Sequence, residues 1–251
     1  MKLDALITAL NLPASSRVGQ RVPKKLMLEN GAPTAADKRL INDGIEEIQW
    51  IAALKPATIG VPMFRDDTRE YLEIAVLRMT LRPEAKTARL AELLHRAVPY
   101  PALLSIDNGT RVAVSLAHKR HALNEADKVV LEGELVFATA TGTDASMESA
   151  FLHALDITSQ PRSTLFTLYQ GWVDAVLAFQ AAQVTGVFRL LDSVEQLLAR
   201  REALRLRLIL QAKIAELRNA AAKASQMARQ VEINLELKRV QAELATACAQ
   251  L

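Results

Sequence analysis

Residues 187–251 contain neither proline nor glycine. A stretch of that length without a chain breaker is free to be helical throughout. Its apolar residues carry a seven-residue rhythm: Leu190, Val194, Leu197, Leu204 and Leu208 recur at steps of four and three or their sum. A phase slip near Gln211 leads to Ile214, Leu217, Ala221, Ala224, Ala228 and Val231. A second slip leads to Ile233, Leu237, Val240, Leu244, Ala247 and Leu251. Heptads in separate phases predict a coiled coil with stutters, or a long helix folding back at the alanine-rich segment NAAAKASQMA. Such a tail cannot bury its apolar seam alone. It needs another copy, the rest of its own chain, or a different protein.

The 251 residues are half apolar and 24% charged, a balance that excludes collagen-like, low-complexity and disulfide-scaffold classes. With one cysteine, Cys248, no intramolecular disulfide or cysteine metal cluster can form, and the cell interior is the expected compartment. The apolar run Leu3–Leu12 is broken by Asp4 and Asn11 and falls short of the ~20 residues that a membrane span needs. Neither a signal peptide nor a membrane helix is expected.

Charge is unevenly spread. Residues 1–40 carry seven basic and three acidic side chains, residues 41–188 carry 13 and 18, and residues 189–251 carry 11 and seven. Basic ends flanking an acidic middle suit phosphate or an acidic protein surface, against the plainer reading of a solvated exterior. At the first end, a short helix over Leu3–Leu12 precedes a basic arm with Arg17, Arg21, Lys24 and Lys25, kept extended at Pro23. At the other end, Arg200, Arg201, Arg205, Arg207 and Lys213 form a collar, spread over more than one helix face.

Between these ends the pattern predicts an α+β domain over residues 35–142. Thr34 with Asp37 resembles an N-cap, and Leu40, Ile41, Ile45, Ile48, Ile51 and Ala52 continue at helical spacing, predicting a helix over 35–54. Thr58–Phe64 and Tyr71–Leu81 read as strands, and Glu84–Ala97 as an amphipathic helix. Asn108-Gly109 between two alternating runs signals a hairpin, and Val129–Thr139 completes a mainly antiparallel sheet of about five strands with two helices. Met147–Leu155 and Thr164–Ala182 then form a helical connector over 143–186, and Trp50 and Trp172 fall on helical apolar stripes as core residues.

A search for chemistry returns little. The α-β-β-α-β order invites comparison with a restriction-type nuclease core, with Asp66, Asp67, Glu70 and Glu73 as candidates. No Glu-x-Lys occurs in the strands that would carry it, so a degenerate metal-dependent nuclease ranks last and Asp66 and Asp67 read as turn residues. His118 and His121 are three apart in a strand and face opposite sides, which predicts no metal site. Beside them, Lys119 and Arg120 are candidates for phosphate contact. Gly-x-Gly-x-x-Gly, phosphate-loop and Gly-x-Ser-x-Gly motifs are absent, and no cofactor or catalytic set is expected.

Four segments carry a resemblance. RVPKKLMLENG, the apparent helix ending in IQWIAALKPATIGV, the AVPYPALL corner and QVEINLELKRVQAEL, in that order from about Val18 to Leu251, resemble the bacterial family known as domain of unknown function 4391. The family has no established catalytic residues to carry over. What the resemblance implies is context: accessory proteins encoded beside DNA methyltransferases and superfamily 2 helicases in anti-phage defence or restriction-type operons. The expected role is therefore a non-catalytic, cytoplasmic subunit that docks a helicase or methyltransferase, or self-assembles. Its interface would draw on Leu190, Val194, Leu197, Leu204, Leu208, Ile214, Leu217, Val231, Leu237, Val240 and Leu244. The alternative is DNA binding through Arg21, Lys24, Lys25, Lys119, Arg120 and the collar from Arg200 to Lys213.

Overall fold

The structure, a computed structural model, describes residues 1–122, 125–140 and 144–251, with residues 125–127 at the level of the backbone. The domain boundary expected after residue 142 lies outside the described residues. In chain order the elements are α1 (Leu3–Ala9), β1 (Arg17–Arg21), α2 (Lys24–Asn30), α3 (Ala35–Gly44), β2 (Ile45–Leu54), α4 (Pro56–Ile59), β3 (Phe64–Arg65), β4 (Glu70–Tyr71) and β5 (Ile74–Leu81). Then follow α5 (Thr87–Ala97), β6 (Ala102–Asp107), β7 (Val112–Ala122), β8 (Glu125–Ala140), α6 (Ala145–Ala154), α7 (Leu165–Thr185), α8 (Val194–Lys223) and α9 (Met227–Cys248). The chain divides into two compact units, Met1–Val176 and Leu177–Leu251.

Thr34 caps α3 as its sequence predicts. Its Oγ1 accepts the Asp37 amide at 3.1 Å and donates to the Asp37 carboxylate at 2.7 Å, satisfying one of the orphan donors of a helix start. The helix expected over 35–54 nevertheless ends at Gly44, and Ile45–Leu54 is a strand. The error has a physical source. β2 carries register shifts between Ile45 and Glu47 and between Trp50 and Ala52; each inserted residue turns a two-residue alternation into a three-residue step. Buried Ile45, Ile48 and Ala52 thus mimic helical spacing. Trp50 accordingly stands half-buried on a strand rather than on a helix stripe, whereas Trp172 is fully buried in α7 and donates from Nε1 to the Leu155 carbonyl at 2.9 Å.

The strand expected over Thr58–Phe64 is also corrected. Pro56 opens the one-turn helix α4, Thr58 Oγ1 accepts the Lys55 amide at 2.9 Å, and Gly60 ends the turn at φ 65°. Only Phe64–Arg65 is extended, pairing with β4 in a two-stranded ribbon.

The main sheet is larger than the sequence suggested: six strands in the order β1-β2-β5-β6-β7-β8. Every neighbouring pair is antiparallel except β5·β6, which is parallel and is joined through the crossover helix α5. The hairpin at Asn108-Gly109 forms as expected. Asn108 Oδ1 accepts the amides of Thr110 and Arg111 at 3.1 and 2.8 Å, and Gly109 takes φ 82°. On one sheet face α2, α3 and α5 pack Met27, Ile41, Leu90, Leu93 and Leu94 onto Ile48, Leu77 and Leu104. Elsewhere Tyr169 ties the sheet to α7, its hydroxyl accepting the Ala117 amide at 2.9 Å and donating to the Ala102 carbonyl at 2.8 Å.

In the second unit α8 and α9 fold back on each other at residues 224–226, inside the alanine-rich segment. Leu210, Ile214, Val240 and Ala247 form the seam, with Leu217, Leu237 and Leu244 packed against it. Lys213 on α8 reaches Glu236 on α9 at 2.8 Å, which fixes the antiparallel register. The result is a hairpin of two helices, not one long coiled-coil tail, and Leu190 lies before α8 in non-helical chain.

Candidate functional site

The hairpin satisfies only part of its apolar pattern. Of the interface residues read from the sequence, Leu204, Ile214 and Val240 are buried, and Leu197, Leu217, Leu237 and Leu244 are half-buried. Leu190, Val194, Leu208 and Val231 are exposed. Among the described residues, thirteen large apolar side chains stand exposed, and ten of them lie between Val187 and Leu235. Met227, Val231 and Leu235 recur every fourth residue along α9 and make one stripe. On α8, Leu198 and Ile209 return to one side after three turns. Sequence periodicity missed Leu198, Ile209 and Leu235 because the seam and the outer stripe interleave on the same helices.

The basic residues divide by environment. Arg21 and Lys25 are exposed, near Glu47 at 3.8 Å and Glu29 at 3.6 Å. Lys24 donates to the Asn42 carbonyl at 3.3 Å, and Arg82 to the Asp43 carbonyl at 3.0 Å. Both cations thus sit on the C-terminal end of α3, where the helix dipole favours them. Burial, then the neighbouring Arg82 and Arg21, lowers the Lys24 pKa. In the collar, Arg205 is held by Glu202 at 2.7 Å and Lys213 by Glu236 at 2.8 Å. Arg201 and Arg207 are half-buried. Arg200 is corrected: it is buried and donates to the Arg189 carbonyl at 2.8 Å, so it holds chain rather than phosphate.

Lys119 is corrected as well. It is 3% exposed, and its Nζ donates to the carbonyls of His95 and, at 2.8 Å, Val98, the last turn and C-cap of α5. Burial pushes its pKa down to about 7. Beside it, His95 is fully buried with Nε2 3.0 Å from Ser115 Oγ. Its pKa is pushed down to about 3, first by burial and then by the nearby Lys119. Arg120 is half-buried and donates to the His121 carbonyl at 3.0 Å.

The acidic candidates of the nuclease comparison are engaged in structure. Asp66 Oδ1 accepts the amides of Thr68 and Arg69 at 2.8 and 2.7 Å, the turn role its residue type favours. Glu70 pairs with Arg65, and Glu73 with Lys55 at 3.0 Å. Asp67 is exposed. Arg69 binds Glu132 through two hydrogen bonds of 2.6 Å, with Phe166 under its guanidinium. Tyr71 Oη lies 2.6 Å from His118 Nδ1, and both rings pack on Phe166 and Tyr169. Burial raises the Tyr71 pKa, so the phenol stays protonated. This cluster locks the β3·β4 ribbon to β7, β8 and α7. Among the described residues, no group of three or more His, Cys, Asp or Glu side chains is placed to hold a metal ion. No helix there is long and apolar enough to cross a membrane.

The chain matches the family described as Domain of unknown function (DUF4391) over residues 10–244. No curated protein and no solved structure matches it.

Proposed function

The chain belongs to the DUF4391 family, and we propose that it is a non-catalytic accessory subunit of an anti-phage defence or restriction-type system, docking a helicase or DNA methyltransferase through its C-terminal helical hairpin. One observation carries this reading: the hairpin leaves Leu198, Leu208 and Ile209 on α8, and the stripe Met227, Val231 and Leu235 on α9, exposed to solvent. Covering a Val or Leu side chain contributes about 1.5–3 kcal/mol, so a face of this kind drives association once a partner fits it. Helix-in-groove and bundle docking use this i, i+4 pattern of anchors. The concentration of polar side chains within internal ion pairs and caps fits a scaffold better than a reaction centre.

The test is co-expression of the full chain with a methyltransferase and a helicase encoded beside it, with purification through a tag on the partner. The expected result is retention of the wild-type chain and its loss in Val231→Glu/Leu235→Glu, whose side chains are exposed and leave the seam intact. Equal retention of both chains overturns the docking surface. Retention only with duplex DNA, falling with salt at a log–log slope near −0.9 per phosphate neutralised, replaces the reading with DNA binding through Arg21, Lys25 and the collar.

A further inference from the structure

We infer that the sheet face beneath α2 and α5 holds a binding site for a small uncharged aromatic molecule, of benzene to indole size. The site is a cavity of about 210 Å³. Its floor is Met27, Ile48, Ala75, Leu77 and Leu94, all at most 2% exposed, and its mouth lies at half-buried Trp50 and exposed Tyr100. The sequence explains why space is left there. Ala75 on β5 pairs with Ala53 on β2 and with Ala102 on β6. Paired residues of neighbouring strands point to the same face, so three methyl groups stand in one row where branched side chains would fill the gap.

Chemistry selects the guest. Among the described residues, Tyr100 is the one lining residue with a hydroxyl, and no charged or amide side chain lines the cavity. Trp50 Nε1 is already spent on the Ala52 carbonyl at 2.8 Å. An ordered water needs about two to four polar partners, so the interior holds water poorly and an apolar guest displaces it at little cost. A charged guest would lose its hydration with nothing to replace it. An apolar cavity of about 150 Å³ takes up benzene, and this one has room for a substituted ring or two fused rings. It is below the ~300 Å³ at which sites for drug-sized ligands begin. Trp50 and Tyr100 give the entrance ring walls, where offset or edge-on contact favours an aromatic guest over an aliphatic one of equal size.

The rim argues against a polypeptide as occupant. A peptide laid across it needs main-chain partners, and the rim's donors are taken: Val22 N–H by the Ile48 carbonyl at 2.8 Å, Leu26 N–H by Pro23 at 3.1 Å and Val98 N–H by Leu94 at 3.0 Å. Pro99 has no N–H to give. The Val98 carbonyl accepts Lys119, and the Pro101 carbonyl beside the mouth accepts the Ala75 amide at 2.9 Å. A small molecule needs none of these groups.

The test uses the full chain with toluene as the probe and two signals. Tryptophan emission reports on Trp50 in the cavity wall, over a constant background from Trp172, which is fully buried in α7. The midpoint of thermal unfolding reports on binding to the folded state and rises with ligand concentration. Toluene is expected to change the emission in the wild type but not in Trp50→Phe, and to raise the wild-type midpoint. Ala75→Leu puts an isobutyl group into the space and is expected to abolish both responses. Tyr100→Ala, at an exposed residue, keeps the fold and is expected to weaken toluene by up to about tenfold, the equivalent of one aromatic contact. Cyclohexane and benzoate are expected to bind more weakly than toluene. No response to toluene at its solubility limit, or an equal response in the wild type and Tyr100→Ala, overturns the site even where Ala75→Leu fails to fold. Cyclohexane or benzoate binding as tightly as toluene overturns the ligand class. The cavity lies within Met1–Val176, so this outcome and partner capture through the hairpin can each fail alone.

Discussion

Lys119 on β7 reaches the His95 carbonyl at the end of α5, and burial lowers the pKa of both side chains, to about 7 for Lys119 and about 3 for His95. The sign of the pH dependence follows from linkage. Each group has a folded pKa below its unfolded value, so the unfolded chain binds more protons in the window between the two, and stability rises with pH there. For Lys119 the window runs from about 7 to the ordinary lysine value near 10.4, with a slope of at most about 1.4 kcal/mol per pH unit for one proton. For His95 it lies below about 6.5, so stability falls as the solution is acidified toward pH 3. Urea unfolding at pH 7, 8 and 9 is expected to give rising stability in the wild type, and a flatter profile in Lys119→Met. A second residue-scale case has the opposite origin. Arg89 grips Asp37 through bonds of 2.9 and 3.0 Å, and those bonds, with the one from Thr34, hold the carboxyl below its usual range. Its stabilisation is present above the unfolded carboxylate pKa and lost as pH falls through the folded one. Arg89→Ala is expected to destabilise the fold at pH 7, with the difference from wild type shrinking in acid.

At the scale of elements, close approach sets the tolerance to change. A Cβ built on Gly31 would lie 2.4 Å from the Leu93 carbonyl oxygen and 2.9 Å from Ala97 Cβ, so α2 ends against α5 with no room for a methyl. Gly31→Ala is expected to cost about 1–3 kcal/mol by forcing the two helices apart, read as a lower urea midpoint. In the hairpin, Ile214→Ala empties a seam shared with Val240 and is expected to cost about 2–5 kcal/mol of local stability, read by hydrogen exchange in α8 and α9. The elements also show which parts of the fold were legible. The Thr34 cap, the Asn108-Gly109 turn and β8 are local signals, written in neighbouring residues, and the structure keeps them. β2 was misread because its two bulges are set by pairing with β5, a partner that local sequence does not reveal. The helical reading of the tail was sound in kind, but where it turns depends on the Lys213–Glu236 register and on which heptad phase buries its residues.

For the whole molecule, the two units distribute their apolar surface differently. The first buries its large side chains against a six-stranded sheet, while most of the exposed apolar residues described belong to the second. Sequence reasoning read the tail as an interaction element, and among the residues it chose Leu204, Ile214 and Val240 are buried within the structure. It also placed Lys119 and Arg200 on a phosphate-binding surface, because charge alone does not record that backbone carbonyls have already taken these cations. The central proposal is that the exposed α9 stripe of Met227, Val231 and Leu235 is covered by protein in the working assembly. Light scattering on the full chain, alone and after co-expression with a DNA methyltransferase or helicase of the proposed kind, tests it most directly. The account predicts a complex heavier than the 27.6 kDa chain that reverts to the single-chain mass with Val231→Glu/Leu235→Glu. A single-chain mass under every condition, or a complex indifferent to those two substitutions, would contradict it.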